Sequence, residues 1–401
     1  MTVTRSSFRT DVAIVGAGPA GSIAAKRLAE SGVRVALLER ATFPRDKVCG
    51  DGVSSRGLAL LAQHGLGEWT AQFPAPEALR ITSPDRQVLD VVPPADESVL
   101  YGRTIPRRLL DAQLAQAAVE AGARLIEGAR VRQVEHAGDA PPTISVNGLK
   151  ITAQLLILAD GSHAPVTRRL GLARGAPELI ALRQYRAGDA GPANRLDIHF
   201  QPTVYPGYTW LFPMEDGRVN FGTGTYAWRA RQGDFTLKAY LAQLATDPTA
   251  LDGRLARTEA LVPIMGHPLR TRMEDTQTHA ARVMVAGDAA GLVSPLTGEG
   301  IAPAMESGAL AAEHALQALQ VGNFSARALA GYSRALKSRY GREQRAARIL
   351  RVGLATRPLF RRAMDRMQQD RDLALLIGYI IIGYKSPRLA LRPGVLLRLL
   401  A

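Results

Sequence analysis

Apolar runs alternate with glycine-rich turns in the first part of the chain. Residues 11–15 (DVAIV) predict a buried strand, residues 22–31 an alanine-rich helix that ends at Gly32, and residues 33–38 a second strand. This order of strand, helix and strand is one βαβ unit, in which the two strands lie parallel in one sheet.

Two later apolar runs predict further buried strands of the same kind. They cover residues 155–159 and 282–286, and each runs into a turn that contains Gly and Asp. Between them, residues 196–200, 209–212 and 219–225 alternate or carry aromatic side chains, as antiparallel strands do. We therefore expect an α/β fold in which a Rossmann-like domain is interrupted by an antiparallel-sheet domain.

The composition is that of a globular protein. Of 401 residues, 46% are hydrophobic and 21% are charged, which excludes a disordered or fibrous chain. A single cysteine, Cys49, excludes an internal disulfide framework, and the seven histidines lack the spacing of metal ligands, so we expect no metal. No secretory signal and no apolar run of roughly 18 residues is present, so we expect a cytoplasmic protein.

The net charge of +14 is concentrated at the C-terminus. Residues 325–401 contain 17 Lys and Arg against 4 Asp and Glu, and arginines recur every three residues from Arg342 to Arg351. Residues 373–384 then carry no charge, so residues 326–401 are predicted to be a basic helical region. Two interpretations remain open: peripheral contact with the inner face of a membrane, or a core helix with a solvated arginine face. No recognition fold accompanies the charge, so nucleic acid is not an expected partner.

The first candidate site is the glycine pattern Gly16-x-Gly18-x-x-Gly21 between a strand and a helix. The first glycine permits a tight turn, the second lets the backbone approach a pyrophosphate, and the third lets helix and strand pack closely. Glu39 follows at the end of the second strand, where a carboxylate accepts hydrogen bonds from ribose hydroxyls. This combination predicts a dinucleotide site.

Other short motifs surround this pattern. The segment from Ser294 to Ile301 opens a helix that is predicted to run through residue 309, with Thr297 as its cap; its free N–H groups would favour an anion. The remaining motifs are Lys47-Val-Cys49-Gly50-Asp51-Gly52, Arg107 four residues before Asp111, Asp160-Gly161, Tyr208-Thr-Trp210-Leu-Phe212-Pro213, and Gly287-Asp288.

In combination these motifs resemble the geranylgeranyl reductase family, within the p-hydroxybenzoate hydroxylase-like superfamily of flavoproteins. The resemblance spans the chain up to about residue 325. Asp51 stands where the family pattern commonly has Gly, and Tyr205 replaces a family Pro. The resemblance implies FAD as the cofactor. It also implies an FAD-binding domain over residues 1–80, 100–185 and 275–325, and a substrate-binding sheet domain over 81–99 and 186–274.

The resemblance also implies roles for individual residues. Cys49 and Tyr208 are the candidate catalytic residues, and Tyr205, Tyr208, Trp210 and Phe212 are the candidate substrate wall. The candidate cofactor-binding residues are Gly16, Gly18, Ala20, Gly21, Glu39, Arg40, Cys49, Gly50, Asp51, Arg107, Val131, Asp160, Gly161, Gly287, Asp288, Gly298, Gly300 and Ile301.

The implied activity is reduction of C=C bonds in a long-chain isoprenoid, which is a prenyl lipid, a prenyl diphosphate or a quinone side chain. Reduced flavin would give a hydride, and Cys49 or Tyr208 would give a proton. The electron donor is left open between NAD(P)H and a ferredoxin-like protein.

Two alternatives remain beside this activity. The first is a flavin-dependent monooxygenase or halogenase that acts on an aromatic or polyketide substrate. The superfamily's hydroxylases usually carry His where Gly291 stands, which argues against a hydroxylase. A halogenase would need a lysine near the flavin, and Lys47, the nearby candidate, lies in a different motif context. The second is an electron-transfer flavoprotein, which the absence of iron–sulfur cysteines disfavours.

Overall fold

The computed structural model describes residues 6–94, 102–232 and 236–400, which form 18 strands and 11 helices. The ends of the predicted domain segments at 1–5, 95–101 and 401 lie outside the described residues. The strands are β1 (Ser6–Val15), β2 (Val35–Leu38), β3 (Gly52–Val53), β4 (Ala78–Thr82), β5 (Val88–Val91), β6 (Arg103–Thr104), β7 (Arg124–Ile126), β8 (Val134–Glu135), β9 (Thr143–Val146), β10 (Leu149–Leu158), β11 (Leu179–Ala187), β12 (Arg195–His199), β13 (Tyr208–Pro213), β14 (Arg218–Tyr226), β15 (Glu259–Ala260), β16 (Met265–Leu269), β17 (His279–Ala280) and β18 (Val283–Val285). The helices are α1 (Pro19–Glu30), α2 (Ser55–Gln63), α3 (Gly67–Ala71), α4 (Arg107–Glu120), α5 (Pro165–Arg169), α6 (Leu237–Thr246), α7 (Ile301–Val321), α8 (Ala326–Leu354), α9 (Arg357–Gln369), α10 (Arg371–Ile381) and α11 (Pro393–Leu400).

The first sheet is built around β1, whose second half is buried on both faces. It pairs in parallel with β2 on one side and with β10 on the other. In turn, β2 pairs in parallel with β7, and β10 pairs in parallel with β18. The resulting order is β17-β18-β10-β1-β2-β7, and α1 packs against β1, β2, α4 and α7. Continuous apolar runs suit this position because helices cover a parallel sheet on its faces.

The second sheet has the order β15-β11-β14-β13-β12-β4-β5, with β16 also paired to β11. Its neighbouring strands are antiparallel except for β12 and β4. The predicted strands at 196–200, 209–212 and 219–225 correspond to β12, β13 and β14. The predicted fold class is therefore confirmed. The predicted domain boundaries at residues 81 and 186 fall inside β4 and β11.

The basic C-terminal region forms α8 to α11 and packs against the rest of the chain. Tyr332 in α8 is fully buried, and its hydroxyl donates to the carbonyl of Val285 in β18 at 2.8 Å. Leu373 in α10 and Met364 in α9 share one buried apolar cluster with Leu79 of β4. Of the two interpretations of the uncharged run, core packing therefore describes α10. Within the described ranges, none of the helices has the length and apolar character that crossing a membrane requires.

The core position of α10 predicts a stability effect. We expect Leu373→Ala to lower the free energy of unfolding by about 2–5 kcal/mol, because it leaves a cavity at a side chain with no exposed surface. The measurement is urea denaturation followed by tryptophan fluorescence. Leu397→Ala is the control, since Leu397 is 68% exposed, and it should change the free energy by less than about 0.5 kcal/mol. Equal effects of the two substitutions would contradict the packing of α10.

Candidate functional site

A cavity of about 920 Å³ runs between the two sheets and on toward the C-terminal helices. One part of its wall consists of the turns that follow the parallel strands of the first sheet. Another part consists of side chains from one face of the second sheet, and a third part comes from α8 to α11. Ligands of open α/β sheets bind beyond the carboxyl ends of the strands, which is where this cavity begins.

The predicted glycine turn lies at this first part of the cavity. A Cβ atom at Gly16 would lie 2.3 Å from the carbonyl oxygen of Ala159, and one at Gly21 would lie 1.8 Å from the carbonyl oxygen of Gly16. Gly21 does not line the cavity, so it serves the packing of helix on strand, whereas Gly18 and Ala20 do line it. At Gly18 the atoms nearest to a Cβ are guanidinium nitrogens 4.0 Å away, which leaves an open cradle at the start of α1.

Those guanidinium groups belong to Arg107 and Arg45. Arg107 is buried and forms two hydrogen bonds of 2.7 Å with Asp111, and Arg45 donates to the same carboxylate at 2.8 Å. Burial alone would raise the pKa of Asp111, but the two cations outweigh it and hold the pKa below its usual value. These contacts hold the guanidinium groups of Arg107 and Arg45 beside the cradle, where N–H donors suit a pyrophosphate.

Glu39 occupies the end of β2, as predicted, and is buried. Its carboxylate accepts the N–H of Ala17 and the N–H of Ala41, both at 3.1 Å, and forms an ion pair with Arg45. Arg40 and Val131 line the same end of the cavity. A carboxylate fixed in this way has lone pairs left for ribose hydroxyls.

Asp160 and Asp288 follow two neighbouring parallel strands. Asp160 accepts the N–H groups of Val166 and Thr167, so its carboxylate fixes the start of α5, and burial raises its pKa. Asp288 accepts the hydroxyl of Ser162 at 2.9 Å and lies 3.5 Å from the ammonium nitrogen of Lys47. Burial opposes ionisation of Asp288, but the charges of Lys47 and Arg107 and the Ser162 hydrogen bond together lower its pKa.

Their glycine neighbours and one histidine complete this region. Gly161 and Gly287 both line the cavity. His267, which the sequence analysis did not single out, lines it as well, and its Nε2 atom is buried without a hydrogen-bond partner. Burial and the charge of Lys47 lower the pKa of His267, so the ring is neutral at neutral pH.

The turn before α7 differs from the prediction in two ways. The helix begins at Ile301 with Gly300 as its cap residue and no side-chain cap, and it continues past residue 309 to Val321. Thr297 lies too far upstream to cap it. The Thr297 hydroxyl accepts the N–H of Glu299 at 3.3 Å, and its carbonyl accepts the hydroxyl of Tyr208 at 2.5 Å. Gly298, Gly300 and Ile301 line the cavity, so the free N–H groups of α7 face a ligand site.

The segment from Lys47 to Gly52, the cysteine loop, contributes Cys49 and Gly50 to the cavity wall, but not Asp51. Asp51 is fully buried beneath the loop, where its carboxyl group accepts the backbone N–H of Arg107, the hydroxyl of Tyr185 at 2.5 Å and the amide of Asn220 at 2.9 Å. Burial raises its pKa to about 6. The expectation that Asp51 contacts the cofactor therefore needs correction, because its carboxyl group is hydrogen-bonded to α4, β11 and β14 and does not line the cavity.

Three of the four predicted substrate-wall residues line the cavity: Tyr208, Trp210 and Phe212. They lie on β13, with the ring centroids of Tyr208 and Trp210 6.1 Å apart. Tyr205 does not line the cavity. It precedes β13 and packs against Phe360 of α9, and its hydroxyl donates to the carbonyl of Leu354.

Sequence reasoning missed the wall that the C-terminal helices provide. The uncharged run at 373–384 was the signal for it, but a linear pattern does not reveal what an apolar helix covers. The lining residues from α9 onward are Leu359, Phe360, Ala363, Met367, Ile377, Ile380, Ile381, Ile382, Ala390, Leu391, Leu396, Leu399 and Leu400.

The residues at the first part of the cavity fit FAD. The open cradle at Gly18 and the cations beside it suit the pyrophosphate, Glu39 suits the adenosine ribose, and Asp288 suits a ribityl hydroxyl. The uncapped start of α7 suits the electron-rich end of the isoalloxazine.

Comparisons with known proteins agree with this fit. The sequence model of the FAD binding domain family matches residues 9–340. The chain belongs to this family. FAD is thus the cofactor of this flavoprotein, as predicted, and the protein is an FAD-dependent oxidoreductase.

Two relatives extend the resemblance to reductases. A Mycobacterium tuberculosis protein named menaquinone reductase is 35% identical over 317 residues, or 76% of this chain and 76% of the relative. A Methanopyrus kandleri protein named digeranylgeranylglycerophospholipid reductase 1 is 33% identical over 341 residues, or 80% of this chain and 84% of the relative. The predicted membership of the geranylgeranyl reductase family is therefore confirmed.

Two solved structures share the fold of the flavoprotein. A geranylgeranyl bacteriochlorophyll reductase-like protein from Thermoplasma acidophilum aligns with a TM-score of 0.82 at 23% identity, over 94% of this chain and 96% of that one. The flavin-dependent brominase Bmp2 aligns with a TM-score of 0.76 at 19% identity, over 95% and 97%.

The contact at Gly21 predicts a loss of FAD binding. We expect Gly21→Ala to weaken FAD binding at least tenfold, because the new Cβ would collide with the Gly16 carbonyl and open the turn. Fluorescence titration of the apoprotein with FAD measures this. Gly341→Ala is the control, because a Cβ in the middle of α8 meets open space and should leave FAD affinity unchanged. Normal affinity in Gly21→Ala would contradict the role of the turn.

Proposed function

We propose that this flavoprotein reduces C=C bonds in the isoprenoid chain of a lipid, a prenyl diphosphate or a quinone. The observation that carries the proposal is the continuity of one cavity, from the residues that fit FAD to a wall of apolar side chains on α9 to α11. A long apolar chain that enters between these helices would extend toward the isoalloxazine end of the FAD site.

The chemical character of the cavity supports a hydrocarbon substrate. Among the described residues, those that line it from α9 onward are all apolar. Aromatic side chains of β13 stand between this apolar part and the cysteine loop, and Phe200 lies 4.8 Å from Phe360, measured between ring centroids. Burial of a prenyl chain against such a wall favours binding by roughly 25 cal/mol per Å² of apolar surface removed from water.

When bound in its reduced form, FAD supplies the hydride. An isolated alkene accepts hydride poorly unless positive charge develops on its more substituted carbon, so the surroundings must exclude water and stabilise that charge. Tyr208 and Trp210 present aromatic faces to the cavity, and such faces attract cationic charge. The apolar wall of the C-terminal helices keeps water away.

The two candidate catalytic residues receive different roles. The hydroxyl of Tyr208 is donated to the Thr297 carbonyl and its pKa is raised by burial, so we assign Tyr208 to orientation of the substrate chain. Cys49 lines the cavity beside Gly50, and the backbone at Gly50 is close to Trp210. We assign the Cys49 thiol to the boundary between cofactor and substrate.

The names of the relatives agree with an isoprenoid substrate. Menaquinone and digeranylgeranylglycerophospholipid both carry long prenyl chains, and the two proteins named for their reduction are about a third identical to this one. A halogenase or monooxygenase remains an outcome of the test below. Lys47, the lysine that a halogenase would use, is paired with Asp288 here.

Product mass distinguishes these activities. We expect the dithionite-reduced protein to add two hydrogens per double bond to a prenyl substrate in the absence of oxygen, measured by mass spectrometry of a lipid and quinone extract. Protein with oxidised FAD and no reductant is the control and should leave the masses unchanged. A gain of one oxygen, seen only in air, would replace the reductase by a monooxygenase.

We also propose that the cavity opens toward a membrane surface. Ile349, Leu359 and Leu400 line the cavity and are also 40–52% exposed, so its wall continues onto the protein surface. Val352 and Leu397 are exposed beside them in α8 and α11, within the region that carries the excess of arginine. Exposed apolar side chains among arginines suit an anionic bilayer.

A vesicle-binding experiment tests this surface. We expect the full chain to sediment with phosphatidylglycerol vesicles, and Val352→Asp/Leu397→Asp to reduce binding at least tenfold, because both changes oppose apolar contact and add negative charge. Val321→Asp is the matched control: Val321 is 76% exposed at the far end of α7, whose first residues line the cavity. Equal loss in the control, or none in the double variant, would contradict the assignment.

A further inference from the structure

Glu299 is a half-buried acid at the cavity wall to which neither the FAD site nor the substrate wall assigns a role. It lies in the turn before α7, between Gly298 and Gly300, and it is one of the residues that line the cavity. A Cβ atom at Gly298 would lie 3.6 Å from the hydroxyl oxygen of Tyr208, so this turn adjoins the aromatic substrate wall. Glu299 is therefore within the region where the two candidate binding surfaces, for cofactor and for prenyl chain, meet.

The structure fixes the carboxyl group of Glu299 from the side of α2. The Ser54 hydroxyl donates to Glu299 Oε1 and at the same time accepts the N–H of Gly57, which caps α2. On the other side, the segment after α10 passes close by: a Cβ at Gly383 would lie 2.9 Å from Glu299 Oε2. The carboxyl group is thus hydrogen-bonded to the cap residue of α2 and lies against the segment that follows α10.

Alkene reduction needs an acid here, because each reduced double bond takes up one hydride and one proton. The side chains that line the cavity from α9 onward are apolar and offer no proton. The Tyr208 hydroxyl directs its hydrogen to the Thr297 carbonyl and away from the substrate wall, and burial raises its pKa, so it is a poor acid. A positioned carboxyl group is one of the side chains that act as general acids in enzymes.

We propose that Glu299 delivers this proton. This role of Glu299 rests on the proposed reductase function. The less substituted alkene carbon takes the proton from the carboxyl group of Glu299, and the more substituted carbon takes the hydride that reduced FAD supplies. Two C–H bonds form and the C=C π bond breaks; FAD is oxidised by two electrons, and Glu299 becomes a carboxylate that regains a proton from solvent.

The charges around Glu299 suit an acid that must hold its proton. Burial raises the pKa of Glu299, and the negative charges of Glu306 on α7 and Glu343 on α8 also raise it. The Ser54 hydrogen bond and the charge of Arg56 on α2 lower it, but the net change is an increase. Glu306 also pairs with Arg56 and Arg339, and the Arg339 side chain is 41% exposed. This polar cluster leads away from the apolar cavity toward solvent, which is the side from which a proton returns.

The test separates transfer to the substrate from the rest of turnover. The protein is reduced with dithionite without oxygen and mixed with a prenyl substrate, and reoxidation of the bound flavin is followed by its absorbance. We expect Glu299→Gln to slow this step about 100-fold, as loss of a general acid does. The affinity for FAD should stay within about twofold of wild type, and the absorption spectrum of the oxidised flavin should match that of wild type. Glu313→Gln, on the exposed face of α7, is the control and should react like wild type.

The pH dependence gives a readout that a structural role would not move. In wild type the rate should fall as pH rises through the pKa of Glu299, because only the protonated acid donates; in Glu299→Gln that dependence should vanish. Ser54→Ala removes a hydrogen bond that lowers this pKa, so it should shift the profile to higher pH. An infrared band of a protonated carboxyl group should disappear in Glu299→Gln, independently of activity.

The outcomes are distinguishable. If wild type saturates the substrate and Glu299→Gln reoxidises at the wild-type rate with the wild-type pH profile, this proposal is overturned and the reductase function stands. The same holds if the pH dependence survives in Glu299→Gln but disappears in Cys49→Ala, which would assign the proton to the thiol. If wild-type protein adds no hydrogen to any prenyl substrate, the proposed function fails, and the role of Glu299 fails with it.

Discussion

The carboxyl group of Asp51 joins the cysteine loop to three other elements, and the arrangement of the cavity depends on this junction. It accepts hydrogen bonds from α4, from Tyr185 on β11 and from Asn220 on β14. The Asn220 amide also donates to the Cys49 carbonyl, and its oxygen accepts the indole N–H of Trp210. A buried carboxyl group without partners would cost several kcal/mol, so the loop, the first sheet's helix and the second sheet are held at a fixed distance. The space between them is the middle of the cavity.

The cavity that results is chemically divided. At one end, glycine backbone, two arginines and several carboxylates provide the donors and acceptors that a charged dinucleotide needs. At the other end, the apolar side chains offer no hydrogen-bond partner, so this end suits a hydrocarbon. Hydride transfer from a redox cofactor to an unactivated double bond requires this division. The cofactor must be held by hydrogen bonds, and the alkene must be kept from water.

The helices that form the apolar end lie largely outside the part of the chain that defines the family. The FAD binding domain model matches residues 9–340, whereas the apolar lining from Leu359 onward follows that match. A flavin site within the family match is thus combined with a helical cover that mostly follows it. The basic charge of the same region lies on the outside of these helices, so one segment both covers the substrate space and carries the surface that we assign to a membrane.

The sequence by itself determined the βαβ unit, the FAD cradle and the interrupting antiparallel sheet, because these depend on local patterns: apolar runs, glycine spacing and an acid at a strand end. It also placed the aromatic wall, since Tyr208, Trp210 and Phe212 alternate along one strand. Only the tertiary structure decided that Asp51 and Tyr205 turn away from the cavity, that Thr297 does not cap α7, and that the C-terminal helices form a wall. Adjacent residues in a loop face different surroundings, and the partner of an apolar helix is distant in sequence, so these outcomes follow from packing between elements and not from any local pattern.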